Sequence, residues 1–229
     1  MSAESSTDRD TDPGEYALSG VVDRDTLGQS VLLVGPAMTG KQPLAVDLLS
    51  DVTRAFGHPF AITTTETPRQ LEAVYRQYLD EGSDLRELVV IDCLPTQTGH
   101  DSGEYVYNAG SPGDLSGIAM AVSEAFEDTP GRENDGPRLL VDNLATLLLY
   151  ANVETVTRFV HALIGRVTQQ GGILLGTLDT DGIGDGERQA VSQLFDSGVE
   201  VRRQDGTTQL RRQGGEEDWH ACDGYGGDD

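Results

Sequence analysis

The sequence predicts an α/β fold with a mostly parallel central sheet, helices on both faces and a C-terminal β-hairpin. Short apolar, β-prone segments alternate along the chain with segments whose apolar residues recur every three or four positions. This alternation is typical of parallel strands connected by helices. In addition, a loop containing two glycines joins the first of these strands to the first helix.

The predicted core strands are short and almost wholly apolar, as buried parallel strands are. They cover residues 30–34, 59–65, 88–92, 138–142 and 172–177. Helices are predicted after the glycine loop to about residue 56, and at 67–79, 115–126 and 153–170; the hairpin covers 199–203 and 208–212. Residues 96–112 form a polar, glycine-rich loop of the kind that binds ligands or partners.

The 229 residues suit one domain with flanking segments. We expect an acidic, flexible N-terminal segment at 1–25, a globular domain at 26–213 and an acidic, flexible tail at 214–229. No apolar run approaches the roughly 20 residues that cross a bilayer, and the polar N-terminus differs from a secretory signal. The expected location is the cytoplasm, with no membrane partner.

The chain is strongly acidic, with 39 Asp and Glu against 16 Lys and Arg and a net charge of −23. Lys41 is its single lysine. One interpretation is repulsion of nucleic acid and attraction to basic partners. We favour adaptation to a cytoplasm of molar salt, as in a halophile, because almost all lysine has been replaced. At about 1 M salt, charges are screened within about 3 Å, so the net charge identifies no partner.

The glycine loop matches the pattern G-x-x-x-x-G-K of a phosphate-binding loop, or P-loop. Its candidate nucleotide-binding residues are Gly35, Pro36, Ala37, Met38, Thr39, Gly40, Lys41 and Gln42. Backbone N–H groups of such a loop and of the following helix bind anions, and Lys41 would reach the β- and γ-phosphates. Gln42 replaces the Ser or Thr hydroxyl that ligates Mg²⁺, so magnesium binding and hydrolysis are both in question. The plain alternative is a glycine turn before a helix.

Ligands of parallel sheets bind where the carboxyl ends of the strands meet. This rule places segment 35–42, Thr65 with Glu66, Asp92, Asp142 and Thr177 along one edge.

The order of these motifs resembles the RecA superfamily, most closely the KaiC-like ATPases and their archaeal RadA-type relatives. The resemblance covers residues 26–214 and is carried by segment 35–42, by Thr-Glu-Thr-Pro at 65–68, and by the apolar run 139–149 that contains Asp142. It implies that Asp142 holds Mg²⁺ through water and that Glu66 orients the attacking water as the catalytic residue. It also implies ring assembly, in which a basic residue of a neighbouring subunit approaches the γ-phosphate, roughly where Arg211 and Arg212 lie.

Each of these assignments has an alternative. Asp142 could cap the following helix, and Asp92 follows an equally apolar strand. Glu66 could be a solvated acid in the first turn of a helix, stabilised by the helix dipole. The hairpin arginines could simply neutralise nearby acids; they are Arg202, Arg203, Arg211 and Arg212.

Two classes of function remain open. The first is an ATP-binding RecA/KaiC-like switch with weak or no hydrolysis, with ATP and Mg²⁺ as cofactors. The second is a degenerate P-loop fold that acts as an interaction module without nucleotide. A homo-oligomer or a paralogous partner is expected, whereas nucleic acid is not. The acidic loop at 179–190 has no aromatic residue on which bases could stack.

Overall fold

The structure is a computed structural model that describes residues 21, 28–50, 57–79, 87–94, 105–129, 136–215, 218–222 and 225. The predicted N-terminal segment 1–25 therefore lies outside the described residues, except for Val21. The side chain of Val21 is buried against the core.

The described strands form one mixed sheet, which confirms the predicted mostly parallel α/β architecture and its C-terminal hairpin. Its strands are β1 (Ser30–Gly35), β2 (Pro59–Thr63), β3 (Val89–Asp92), β4 (Val106–Asn108), β5 (Arg138–Asp142), β6 (Ile173–Asp179), β7 (Ser197–Gln204), β8 (Thr207–Arg212) and β9 (His220–Cys222). Their order is β4-β3-β2-β5-β6-β1-β7-β8-β9. All pairs from β4 to β7 are parallel, and β7, β8 and β9 pair antiparallel.

Helices cover both faces of the sheet, as predicted. They are α1 (Lys41–Ser50), α2 (Pro68–Gln77), α3 (Leu115–Asp128), α4 (Leu144–Tyr150), α5 (Val153–Gln169) and α6 (Asp185–Ser192). One buried cluster contains Leu44 of α1 and Leu71 of α2, and the other contains Ile118 of α3 and Val160 of α5. Among the described helices, none has the length and apolar character that a bilayer span needs.

Three short elements lie where the sequence predicts loops or tail. Strand β4 falls within the glycine-rich loop 96–112, helix α6 begins within the acidic loop 179–190, and β9 falls within the tail. Each is three to eight residues long, too short for a periodic pattern to stand out. In the tail, the Trp219 ring contacts the guanidinium groups of Arg202 and Arg211, whose Cζ atoms lie 4.0 and 4.6 Å from its centroid.

Parallel pairing determines which side chains meet at the carboxyl edge of the sheet. The register places Gly35 of β1 opposite Asp179 of β6, and Thr63 of β2 opposite Asp142 of β5. Strand β6 alone separates β1 from β5. The glycine loop and the two aspartates are therefore neighbours at this edge.

Candidate functional site

The backbone of segment 35–42 requires glycine at both glycine positions of the motif. A Cβ at Gly35 would lie 1.9 Å from the carbonyl oxygen of Val201 on β7. Gly40 has a φ of +88°, in the left-handed region that side chains disfavour. Helix α1 then begins at Lys41, and the Leu44 N–H donates to the Gly40 carbonyl at 3.1 Å. The strand, loop and helix that the motif predicts are all present.

Lys41 is buried at the start of α1, with only 4% of its surface exposed. Its Nζ donates to the Pro36 carbonyl and to Thr39 Oγ1, the latter at 3.2 Å. The same atom lies 2.8 Å from Asp179 Oδ1, at the end of β6. The single lysine of the chain is therefore neutralised by an aspartate of the neighbouring strand.

A second aspartate from the connection between β6 and α6 reaches the loop backbone. The Ala37 N–H donates to Asp181 Oδ2 at 2.8 Å. The motifs of the sequence assign no role to Asp179 or Asp181. The rule that places ligands at the carboxyl ends of strands could have found Asp179, because it directly follows an apolar strand. Asp181 depends on the turn at 181–182, which no motif in the sequence indicates.

Asp142 lies in the middle of the site, with 3% of its surface exposed. Thr177 Oγ1 donates to its Oδ1 at 3.0 Å, and Gln42 Nε2 and Thr65 Oγ1 donate to its Oδ2 at 3.1 and 3.4 Å. Burial raises the pKa of Asp142, and the negative charge of Glu66 adds to that effect, while the three hydrogen bonds oppose it. The structure thus brings together four residues that the sequence predicts for one edge.

The structure contradicts two alternatives for Asp142, namely that it caps the following helix and that Asp92 takes its place at the site. The N-cap of α4 is Asn143, whose Oδ1 accepts from the Ala145 N–H at 3.0 Å, so Asp142 is not the cap. Asp92 ends β3, which lies beyond β2, β5 and β6 from the glycine loop. Its Oδ1 accepts from the Leu94 N–H at 2.9 Å. Of Asp142 and Asp92, Asp142 is therefore the one that contacts α1, through Gln42.

Glu66 lies just before helix α2 and not in its first turn. The helix begins at Pro68, and Thr67 is its N-cap in a reciprocal capping box with Gln70. The alternative of a first-turn acid is therefore wrong. The hydroxyl of Thr63 holds the Glu66 backbone, since it donates to the Glu66 carbonyl at 2.6 Å and accepts from its N–H at 3.2 Å. Glu66 is half-buried and close enough for its charge to act on Asp142.

Comparison with protein families matches most of this chain to a family model. A family described as "Family of unknown function (DUF7504)" matches residues 28–201. The chain belongs to the DUF7504 family. A comparison with curated proteins found no match. The DUF7504 region includes the whole cluster described above, from Gly35 to Asp181.

Mg²⁺, which the resemblance implies, does not fit the side chains of this DUF7504 site as they are arranged. Magnesium prefers oxygen ligands in octahedral geometry. Gln42 presents an N–H to Asp142 where the motif has a hydroxyl oxygen, and the two Asp142 oxygens accept from three protein donors. Among the described residues, no three His, Cys, Asp or Glu side chains form a metal-binding group. Asp142 as a magnesium ligand stays a prediction that would require Gln42 to move.

The hairpin arginines of this DUF7504 protein make contacts within their own chain. Arg211 forms an ion pair with Glu200 across the β7–β8 ladder and stacks on Trp219. Arg212, at the end of β8, is exposed. The contact between Arg211 and Glu200 agrees with the alternative in which hairpin arginines offset local acids. A role at the nucleotide of a neighbouring subunit stays a prediction.

Proposed function

We propose that this protein binds ATP through segment 35–42 and acts as a nucleotide-dependent switch of the RecA/KaiC-like class. The observation that carries the proposal is the position of Lys41. The only lysine among the 16 Lys and Arg residues is buried at the first residue of α1, directly after the left-handed Gly40 of the loop that follows the buried parallel strand β1. Burying a lysine is costly, and a site that binds anions gives a reason for it.

The proposed binding chemistry uses the backbone and one side chain. The N–H groups of the loop and of the first turn of α1 would donate to the phosphate oxygens, with the helix dipole favouring negative charge. Lys41 Nζ already lies at the loop carbonyl of Pro36 and would contact the β- and γ-phosphates. Adenine is proposed over guanine because a chain with Lys41 as its only lysine has no N-K-x-D motif.

We propose weak or no hydrolysis. Gln42 offers no hydroxyl for Mg²⁺, and its side chain bonds to Asp142, the residue that the resemblance assigns to the metal. Glu66 is the proposed residue that would orient a water, because it is half-buried beside Asp142. Without a bound metal ion, only Lys41 and the backbone N–H groups of the loop would stabilise the charge that develops on the phosphoryl oxygens.

The second candidate function is an interaction module that binds no nucleotide. The observation that favours it is that the key groups of the site are bonded within the chain. Lys41 is paired with Asp179, the Ala37 N–H with Asp181, and Gln42 with Asp142.

Calorimetric titration of ATP in molar KCl, with and without Mg²⁺, tests the first proposal against the second. We expect binding in the micromolar range that weakens about tenfold to a hundredfold in Lys41→Ala, as for the loss of a charged hydrogen bond. Arg76→Ala is the matched control, since it removes an exposed cation from α2. If the wild type binds no ATP at millimolar concentration, or if both variants bind like the wild type, the nucleotide-binding proposal is wrong.

A further inference from the structure

Two carboxylates, one at the end of β6 and one in the connection from β6 to α6, occupy the groups with which a P-loop binds phosphate. Asp179 Oδ1 lies 2.8 Å from Lys41 Nζ, and Asp181 Oδ2 accepts from the Ala37 N–H at 2.8 Å. A carboxylate and a phosphoryl group seek the same donors, namely backbone N–H groups near a helix N-terminus and a lysine ammonium. A carboxylate and a phosphoryl group cannot both accept a hydrogen bond from the same N–H in the same geometry.

We propose that Asp179 and Asp181 determine the affinity of the nucleotide site by competing, within the chain, with the phosphates of the ligand. This inference rests on the proposed ATP site and deepens it. Phosphate enters the loop when Asp181 leaves the Ala37 N–H. Bound nucleotide and the turn at 181–182 are thereby coupled, and α6 follows that turn directly.

The two aspartates differ in how firmly they are held. Asp179 Oδ2 accepts from Asn143 Nδ2 at 2.7 Å, and its own N–H donates to Asn143 Oδ1 at 3.2 Å. Its position opposite Gly35 in the sheet also restrains it. Asp179 therefore stays beside Lys41 and lowers the net positive charge that a phosphate meets.

Asp181 is the aspartate whose side chain can move away from the loop. It is exposed and precedes Gly182, a left-handed glycine with no neighbouring atom within 4 Å of its Cβ position. Displacing Asp181 costs the Ala37 hydrogen bond without disturbing the strand register. Since a phosphoryl oxygen replaces the carboxylate at the same N–H, the loop is satisfied in both states.

Removing the competing carboxylate tests the inference. We expect Asp181→Asn to bind ATP about tenfold more tightly than the wild type in calorimetric titration, and Asp181→Ala at least as tightly as Asp181→Asn. Asp185→Asn is the matched control, because it removes the same charge four residues later on α6. The Asp185 side chain is 97% exposed and pairs with Arg188. The control is expected to stay within twofold of the wild type, and thermal unfolding checks that all variants are folded.

The outcomes distinguish this inference from the proposed function. Tighter binding by both Asp181 variants, with Asp185→Asn unchanged, supports it. Wild-type binding that is unchanged or weakened in the Asp181 variants overturns the competition but leaves the ATP site in place. An equal gain in Asp185→Asn overturns it as well, since the effect is then one of general charge. If the wild type binds no ATP, the proposed function fails and the inference fails with it.

Discussion

At the residue scale, Asp142 shows how this site balances burial against hydrogen bonding. Its carboxylate is nearly inaccessible to solvent, and burial is the largest cause of its raised pKa. Donors from Thr177, Gln42 and Thr65 lower the cost of the charged form, whereas Glu66 increases it. Strand β5 therefore ends in an acid whose ionisation opposes folding.

The sign of this effect predicts how stability depends on pH. Because the pKa of Asp142 is higher in the folded chain than its ordinary value of 3.8, the folded state binds more protons in the window above pH 3.8. The contribution of Asp142 to stability therefore falls as the pH rises from 3.8 towards the folded pKa, and is constant above it.

Asp142→Asn is expected to raise the thermal unfolding midpoint at pH 7, since the neutral amide carries no cost of burying a charge. About 1 kcal/mol corresponds to about 2–4 °C in a chain of this size. The gain should shrink at about pH 4, close to the ordinary pKa of 3.8, because the raised pKa leaves more of the wild-type carboxyl protonated in the folded chain there than at pH 7. Asp185→Asn, at an exposed position, is the control. A midpoint that falls equally at both pH values would contradict the prediction.

At the element scale, Asn143 joins three secondary structure elements. It follows β5, caps α4 through the Ala145 N–H, and binds both the backbone N–H and the carboxylate of Asp179 at the end of β6. Its own N–H donates to Thr64 Oγ1 at 2.9 Å. One buried amide thus connects the strand that ends in Asp142 to the strand that carries Asp179.

Asn143→Ala is therefore expected to destabilise the chain more than the loss of an ordinary helix cap. Asn152→Ala provides the comparison, because Asn152 caps α5 at an exposed position, accepting from the Thr155 N–H at 2.9 Å. The Asn152 change should cost about 1 kcal/mol, as caps do. The Asn143 change should cost at least about 2 kcal/mol, because it also removes a donor from the Asp179 carboxylate.

Chemical denaturation with urea measures both free energies of unfolding. Equal losses in the two variants would mean that the contacts between Asn143 and Asp179 contribute nothing to stability.

At the scale of the whole molecule, the net charge of −23 governs the response to salt. Self-repulsion of like charges destabilises a compact chain, and salt screens it. The ion pair of the site, between Lys41 and Asp179, is partly buried and is therefore screened less. We therefore expect stability to depend strongly on salt, with the geometry of the site unchanged.

The thermal unfolding midpoint should rise by at least about 4 °C between 0.2 and 2 M KCl, which corresponds to more than about 1 kcal/mol. Most of the rise should occur below about 1 M KCl, because at about 1 M the screening length has already fallen to about 3 Å. Further salt then screens little more charge. A midpoint that does not change with KCl would contradict adaptation to salt. A rise that continues evenly above 1 M would indicate exclusion of salt from the surface instead of screening.

The main elements of the fold could be predicted because their signals are local. Apolar runs such as 30–34 and 138–142 can be recognised without knowing their partners, and helix α2 begins with Thr67 and Pro68 as capping rules require. Strand β4 could not be predicted in this way. Its three residues form a strand only because β3 offers them hydrogen bonds at the edge of the sheet.

The sequence by itself determined the alternation of strands and helices, the glycine loop with its single lysine, and the strand-end position of Asp142. The tertiary structure alone decided what these residues contact. Sheet order brings Asp142 and not Asp92 to α1, and register brings Asp179 opposite Gly35. A turn far along the chain carries the Asp181 carboxylate to the loop backbone. Strand order and register depend on packing between distant segments, which leaves no pattern in the sequence around any one of them.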